Sequence, residues 1–99
     1  MQTDKTGQML GLAKRAGKIA GGQFQAETAL KSGKAALVVI AGDASENTRK
    51  HFSDMCAWRD VPCMVYGTLD SLGRCLGSDQ RSVAAVTDPS FAEAILKLQ

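Results

Sequence analysis

Long apolar runs are absent from this sequence. No apolar stretch comes near the roughly 18 residues that a membrane-spanning helix requires, and the polar start MQTDKTGQ lacks the apolar centre of a secretory signal peptide. Linkers, low-complexity tracts and internal repeats are absent too, and 99 residues suffice for one domain with a modest core. We therefore expect a single domain over residues 1–99, a cytoplasmic location and no association with membranes.

The side chains on which most enzymes depend are scarce. His51 is the single histidine, and no nucleophile stands beside it in sequence. Cys56, Cys63 and Cys75 are odd in number and show no CxxC spacing, so we expect three small buried side chains in a reducing compartment and no zinc site. Neither a GxxxxGK[ST] phosphate loop nor a GxGxxG fingerprint occurs. The sequence thus predicts a protein that is not an enzyme and holds no metal or cofactor.

The protein has only a small excess of positive charge, but its charged residues are unevenly distributed along the chain. The net charge is +2. Residues 1–50 carry eight Lys and Arg against four Asp and Glu, whereas residues 51–99 carry four against six. A basic excess in one half of a chain favours a polyanionic partner.

Helical and extended patterns alternate along the chain. The run AALVVIA (35–41) is continuously apolar and rich in β-branched residues, which is typical of a strand buried on both faces. We predict further strands at 18–20, 61–67 and 82–87, and helices over about 4–15, about 23–32, from 43 onward, over 69–76 and from 88 to the end. This order predicts an α/β fold, a three-layer α/β/α sandwich with one central sheet.

Two of these helices carry specific expectations. In GDASENTRK, Asp43 is predicted to cap the third helix, with Glu46 three residues on as the partner of a capping box. Apolar spacing predicts the buried stripes, which are Phe52, Met55, Cys56 and Trp58 in the third helix and Phe91, Ile95 and Leu98 in the last.

The stretch IAGGQFQAETALKSGKA (19–35) offers side chains suited to RNA. Gly22 lets a backbone approach a ligand closely, and the start of the following helix favours phosphate. Gln23 and Gln25 carry amides for base edges, and Phe24 offers a ring for stacking. Several basic residues nearby are candidates for phosphate contacts: Lys14, Arg15, Lys18, Lys31 and Lys34. The same stretch also fits an ordinary loop-to-helix joint with Phe24 packed into the core.

The ordered motifs LGLAKRAGKIAGG, ALKSGKAALVVIAGDASENT, VPCMVYGTLDSLGRCLG and VAAVTD cover about residues 9–96. In this combination the chain resembles the L7Ae family of kink-turn RNA-binding ribosomal proteins, and within it the small stand-alone bacterial members of YlxQ type. The resemblance implies a mixed central sheet, a monomer, and binding to a kink-turn, a sharply bent RNA with sheared G·A pairs next to a three-nucleotide bulge.

The resemblance also implies a site at the N-terminus of the second helix, where the family has a G-x-N-E-x-x-K pattern. Gly22 stands at the family's glycine and Gln23 at the next position. Phe24 replaces the asparagine, Gln25 replaces the glutamate and Thr28 replaces the lysine. The match is therefore partial, and Lys18 or Lys31 is a candidate to supply the missing charge.

A second element of the family site is the loop before the last strand, which packs against the bulged nucleotides. Here that loop lies within GSDQRSVAA (77–85), and the resemblance places Arg81, Ser82 and Val83 at the RNA. A solvated connection without RNA contacts is the alternative for this segment.

The resemblance further implies a pocket for a nucleotide that is flipped out of the RNA, next to the end of the predicted strand at residue 41. Asp43, Ala44 and Ser45 stand at a family Asp-Ala-Glu stretch, with Ser45 in place of the glutamate. Leu69 stands where a lysine lines that pocket.

Two functions remain open from the sequence. The first is a non-catalytic protein that binds kink-turn or related structured RNA, ribosomal or regulatory, with the ribosome or ribosomal RNA as a candidate partner. It predicts a basic surface that joins residues 14–34 to the loop at 78–83. The alternative is a protein–protein interaction module on the same fold with a decayed RNA site, which predicts Phe24 exposed within an apolar patch and scattered basic groups.

Overall fold

The computed structural model describes residues 4–99, in which five helices surround a four-stranded sheet. In chain order the elements are α1 (Lys5–Arg15), β1 (Ile19–Gly21), α2 (Gln23–Lys31), β2 (Leu37–Ile40), α3 (Glu46–Arg59), β3 (Cys63–Val65), α4 (Leu69–Cys75), β4 (Val83–Val86) and α5 (Pro89–Leu96). Every predicted helix and strand is present; β2, β3 and β4 are shorter than the apolar patterns indicated, and β1 lies one residue later than predicted. None of these helices is long and apolar enough to cross a membrane.

The sheet is mixed, as the resemblance implied. Its strand order is β1-β4-β2-β3. β4 runs antiparallel to both neighbours, pairing Gly21 with Ala84 on one side and Ile40 with Val83 on the other. β2 and β3 are parallel, and β3 is an edge strand. This topology brings the start of α2 next to the start of β4, because β1 and β4 run in opposite directions.

Helices cover both faces of the sheet and complete the three-layer sandwich. α1 packs against α4 and α5, while α2 packs against α3. The two central strands, β2 and β4, are buried at every position, which confirms the prediction from the run AALVVIA. The largest fully buried side chains come from both helical layers and the sheet: Phe52, Leu10, Leu30, Leu37, Ile40, Leu72 and Ile95.

The predicted cap of α3 is wrong. Ser45, not Asp43, is the N-cap residue, and its hydroxyl accepts a hydrogen bond from the backbone N–H of Thr48 at 3.1 Å. The chain is still turning at Asp43, so its carboxylate points elsewhere and accepts the N–H of Leu69 at 2.7 Å. Leu69 is the first residue of α4, so Asp43 satisfies a helix N-terminus other than the one predicted.

Some predictions of burial are also wrong. Phe52 and Cys56 are buried as expected, but Trp58 is 86% exposed. At 100° per residue Trp58 lies about 200° around the helix from Cys56, so it must point away from the sheet. Leu98 follows the end of α5 and is 40% exposed, while Cys63 is exposed on the edge strand and Cys75 is half-buried.

Candidate nucleic-acid interface

The N-terminus of α2 differs from the other helix starts within residues 4–99. Asp4, Ser45, Thr68 and Asp88 each cap their helix with a side-chain oxygen. Gly22 begins α2 with φ 99° and ψ 161° and provides no side-chain cap. Since the first N–H groups of a helix have no intrahelical acceptor, α2 presents them at the surface together with the positive end of its dipole.

The first three side chains of α2 face solvent. Gln23, Phe24 and Gln25 are all exposed, and Phe24 is 82% exposed. A core role for Phe24, the alternative left open by the sequence, is therefore wrong. The hydroxyl of Thr28 donates to the backbone carbonyl oxygen of Phe24 at 3.0 Å, so the Thr28 side chain is hydrogen-bonded to its own helix.

Gln23 connects the start of α2 with two other parts of the chain. Its side-chain amide donates to the hydroxyl of Ser82 at 3.1 Å and to that of Thr48 at 3.4 Å. The Ser45 hydroxyl in turn donates to that of Thr48 at 2.9 Å. The resulting polar chain fixes the starts of α2, α3 and β4 relative to one another. Thr48 was not among the predicted site residues, although it stands three residues after Ser45, the spacing of an N-cap and its partner.

The loop before β4 rests on α4. The backbone N–H of Arg81 donates to the carbonyl of Leu69 at 3.0 Å, and that of Ser78 donates to the carbonyl of Gly73 at 2.8 Å. A Cβ atom at Gly73 would collide with the carbonyl of Asp79, so the loop approaches the helix as closely as backbone can. These contacts hold the loop in one position beside the start of α2.

Between α1, β1 and this loop lies an open pocket of about 460 Å³. Its lining consists of Lys14, Ile19, Ala20, Gly21, Gln25, Leu76, Ser78 and Arg81. The lining thus contains two cationic side chains, Lys14 and Arg81, and no carboxylate. Neither cation forms an ion pair with a carboxylate of residues 4–99. Electrostatics of this kind favour an anionic ligand.

Other predicted residues lie outside this surface. Lys18 is at the far end of β1, where its carbonyl accepts the N–H of Thr87, roughly 13 Å along the strand from Gly22. Lys31 is in the last turn of α2 and forms an ion pair with Glu27 at 2.9 Å. Val83 is the first residue of β4, and its side chain is fully buried and so is not part of this surface.

Glu27 is a second residue of this region that was not among the predicted site residues. Its carboxylate bonds Lys31 and also lies 3.0 Å from Nε2 of His51, which links α2 to α3. The hydrogen bonds from Lys31 and then from His51 lower the pKa of Glu27 below its ordinary value. The pair Glu27–Lys31 has the i, i+4 spacing typical of helix ion pairs, so the sequence did contain the signal.

The residues expected around a flipped nucleotide have structural partners. Asp43 bonds Leu69, Ala44 is 5% exposed, and Ser45 caps α3. Leu69 is half-buried against the core. These four side chains therefore connect β2, α3 and α4. Residues 4–99 hold no group of three or more metal-ligating side chains.

Sequence comparison places the molecule among proteins of known type. Residues 4–96 match the ribosomal protein L7Ae/L30e/S12e/Gadd45 family. The RNA-binding protein YlxQ of Bacillus subtilis (strain 168) is 38% identical over 90 residues, which cover 91% of this chain and 90% of that protein. The RNA-binding protein YlxQ of Enterococcus faecium is 33% identical over 90 residues, with 91% and 86% covered.

Solved structures show the same fold. A protein of unknown function from Bacillus halodurans C superposes with a TM-score of 0.93 and is 33% identical, covering 97% of both chains. The Giardia lamblia 15.5kD RNA binding protein superposes with a TM-score of 0.83 at 21% identity, covering 99% of this chain and 90% of that one. With residues 4–96 matched and relatives above 30% identity over nine-tenths of its length, the chain belongs to the ribosomal protein L7Ae/L30e/S12e/Gadd45 family.

Proposed function

We propose that this protein binds structured RNA, of the kink-turn or a related bent type, without catalysing a reaction. The observation that carries the proposal is the start of α2, where an uncapped helix N-terminus stands beside exposed Phe24 and Gln25. Two relatives at 38% and 33% identity are named RNA-binding proteins, which supports the same function here.

Each part of the surface has a physical role in this proposal. The free N–H groups of the first turn of α2 donate hydrogen bonds to phosphate or base oxygens. Gln25 reads a base edge with its amide, and the Phe24 ring stacks on a base or sugar. Lys14 and Arg81, which line the same pocket, neutralise backbone phosphates.

The departures from the family pattern change how the charge is supplied. Thr28 brings no cation, and Lys31 is engaged by Glu27. Lys14 and Arg81 flank Gln25 instead, so the positive charge lies on the pocket side of α2 rather than one turn further along it. We infer that these two residues compensate for the lysine that the family has at position 28.

The distribution of basic groups favours RNA over a protein partner. Phe24 is exposed, which both functions required, but its helix neighbours Gln23, Gln25 and Thr28 are polar and exposed. Lys14 and Arg81 of the loop line one pocket, which supports the RNA hypothesis, whereas Lys18 and Lys31 lie outside it.

The experiment is a titration of a kink-turn RNA against the same duplex with its G·A pairs replaced by Watson–Crick pairs, each at two salt concentrations. We expect tight binding to the kink-turn and weak, salt-sensitive binding to the duplex. Equal weak binding to both RNAs would contradict kink-turn recognition, and no binding to either would overturn the RNA function in favour of a protein partner.

A further inference from the structure

The pocket between α1, β1 and the loop before β4 has a lining of mixed chemistry. Ile19, Ala20 and Leu76 contribute apolar side chains to it. The other side chains of the lining are polar or cationic, namely Lys14, Gln25, Ser78 and Arg81. The volume of about 460 Å³ lies within the range of roughly 300–1,000 Å³ that is typical of small-molecule sites. Such a pocket suits a ligand that has one apolar part and one anionic part.

The open edge of β1 adds backbone groups to the pocket. β1 is an edge strand that pairs only with β4, and the N–H of Gly22 donates to the carbonyl of Val83 at 2.9 Å. Because bonded residues alternate along an antiparallel pair, the N–H and C=O groups of Gly21 and Ile19 point away from β4. An apolar surface bordered by such donors and acceptors matches a nucleobase, which has apolar faces and a polar edge.

Gly21 leaves the space that the pocket occupies. A Cβ atom at this residue would lie 3.7 Å from Cδ1 of Leu76 and 3.8 Å from Nε of Arg81. The guanidinium of Arg81 is held in place by its own loop, since Nη1 donates to the carbonyl oxygen of Gln80 at 3.0 Å. A large side chain at residue 21 would therefore enter the space next to both an apolar group and a cation.

The charge of the pocket comes from Lys14 and Arg81. Lys14 is exposed in the last turn of α1, and Arg81 is half-buried in the loop. A planar guanidinium donates to two oxygens of one phosphate at once, and the lysine ammonium adds a second positive charge. Since the lining contains no carboxylate, the pocket favours phosphate as the anionic part of its ligand.

We propose that this pocket binds one nucleotide unit, a 5′-phosphate with its sugar and base. The phosphate contacts Lys14 and Arg81, the base lies against Ile19 and Leu76, and the amide of Gln25 bonds its polar edge. The unit is either a free nucleoside monophosphate or an unpaired nucleotide of a bound RNA, and only the second source rests on the function proposed above.

This pocket is separate from the one that the resemblance implied for a flipped nucleotide. That pocket was expected at Asp43, Ala44, Ser45 and Leu69, and none of these four residues lines the pocket of Lys14. The two positions lie on different sides of the loop before β4, because Leu69 begins α4 whereas the pocket is bounded by α1 and β1.

The test is an NMR titration of the full, ¹⁵N-labelled chain with each of the four ribonucleoside 5′-monophosphates, the matching nucleosides and inorganic phosphate. We expect a monophosphate to shift the amide resonance of Gly21 and the Nε resonance of Arg81. It should bind about tenfold more tightly than its nucleoside, the gain expected of two partly exposed charge pairs. The proposal is overturned if no monophosphate shifts these resonances, or if phosphate alone binds as tightly as all four.

Three variants check that the binding takes place in the pocket. Gly21→Leu fills the space beside Arg81 while both cations remain, and it should lose monophosphate binding. Lys14→Ala changes an exposed residue and should weaken monophosphate binding by up to about fivefold, without changing nucleoside binding. Lys97→Ala removes an exposed cation from the end of α5 and should change neither. If Gly21→Leu fails to fold, the comparison of the two lysine variants decides, and equal losses from both would overturn the proposal.

Repeating the titration with kink-turn RNA already bound identifies the source of the nucleotide. If the RNA supplies it, the complex should no longer bind a monophosphate, and Gly21→Leu should bind the RNA more weakly. If the ligand is a free nucleotide, the complex should still bind it. A native chain that binds a monophosphate but no RNA would overturn only the proposed RNA function. A chain that binds kink-turn RNA but no monophosphate would overturn only this inference.

Discussion

The Gln23 amide donates to the Ser82 hydroxyl at 3.1 Å, and this bond joins residues that are 59 positions apart. It connects the start of α2 with the loop before β4, the two elements that the proposed RNA surface requires. A bond between exposed groups adds little stability by itself. The bond instead positions the two elements, because it fixes the distance between the start of α2 and the loop before any ligand binds.

Removing Arg81 should weaken RNA binding without unfolding the protein. Arg81 lines the pocket beside Gln25 and has no ion pair with a described carboxylate. For Arg81→Ala we expect weaker kink-turn binding and a slope of log K against log salt that is flatter by about one. Arg59→Ala, which removes the same charge from the exposed end of α3, is the control and should leave the slope unchanged. Equal effects from both variants would mean that only net charge matters.

Phe24→Ala should separate binding from stability. The ring is 82% exposed, so its loss should change the free energy of unfolding by no more than about 0.5 kcal/mol. Loss of a stacked base should weaken RNA binding by about 1–3 kcal/mol. Trp58→Ala removes an aromatic ring that is 86% exposed on α3 and should alter neither quantity. Calorimetric melting and RNA titration measure the two effects, and an unchanged affinity for Phe24→Ala would exclude the stacking role.

Glu27→Gln should strengthen RNA binding. The substitution takes a negative charge from α2 and releases Lys31, which now lies 2.9 Å from the carboxylate. We expect a higher affinity and a salt slope steeper by up to about one. Glu93→Gln breaks the equivalent i, i+4 pair with Lys97 on α5 and serves as the matched control. A gain of the same size in both variants would show that Lys31 does not reach the RNA.

Gly73→Ala should destabilise the fold and loosen the loop that carries Arg81. The added methyl group would occupy the position of the Asp79 carbonyl, so helix and loop must separate. Overpacking of this kind costs typically about 1–3 kcal/mol. Gly11→Ala is the control, because its Cβ would lie 3.4 Å from the Cys75 carbonyl and Ala favours helix over Gly. Denaturant unfolding gives the comparison, and equal stability of the two variants would contradict the close contact.

Acid should release the cap of α1. Asp4 accepts hydrogen bonds from the N–H of Gly7 and the hydroxyl of Tyr66, each at 2.7 Å, and these lower its pKa in that order of importance. A carboxyl whose pKa is lower in the folded state adds stability above its unfolded pKa and loses it as the pH falls through the folded one. Unfolding measured from pH 6 to pH 2 should therefore lose stability below about pH 4. Asp4→Asn should show a smaller loss, and Tyr66→Phe should also show a smaller loss, complete at a higher pH, because the pKa of Asp4 in the folded state then lies closer to its unfolded value. Curves for all three proteins that run parallel would contradict this linkage.

The sequence predicted the elements well because each has a strong local signal. The buried strand β2 is a continuous apolar run, and α5 begins with Asp88 and Pro89, a cap followed by the residue that fits the first helical turn. The family motifs then specified how these elements are arranged, which local periodicity does not contain.

Contacts between distant segments were not predictable in the same way. Asp43 and Ser45 are both good N-cap residues, and only the path of the chain decides that Ser45 caps α3 while Asp43 reaches Leu69. The pocket joins Lys14 to Arg81, which are far apart in sequence. By contrast, the outward position of Trp58 and the pairing of Lys31 with Glu27 follow from helical geometry and were available from the sequence.

The missing cap of α2 has one further consequence. Four helices of the described chain have an N-cap residue whose side chain accepts a hydrogen bond from the first turn, whereas α2 begins at Gly22 and has no such side chain. A phosphate seated there would perform the task of the absent serine or aspartate. The ligand would then finish a part of the protein's own secondary structure, and the complex should melt at a higher temperature than the free chain, with the gain lying first in the turn that begins at Gln23.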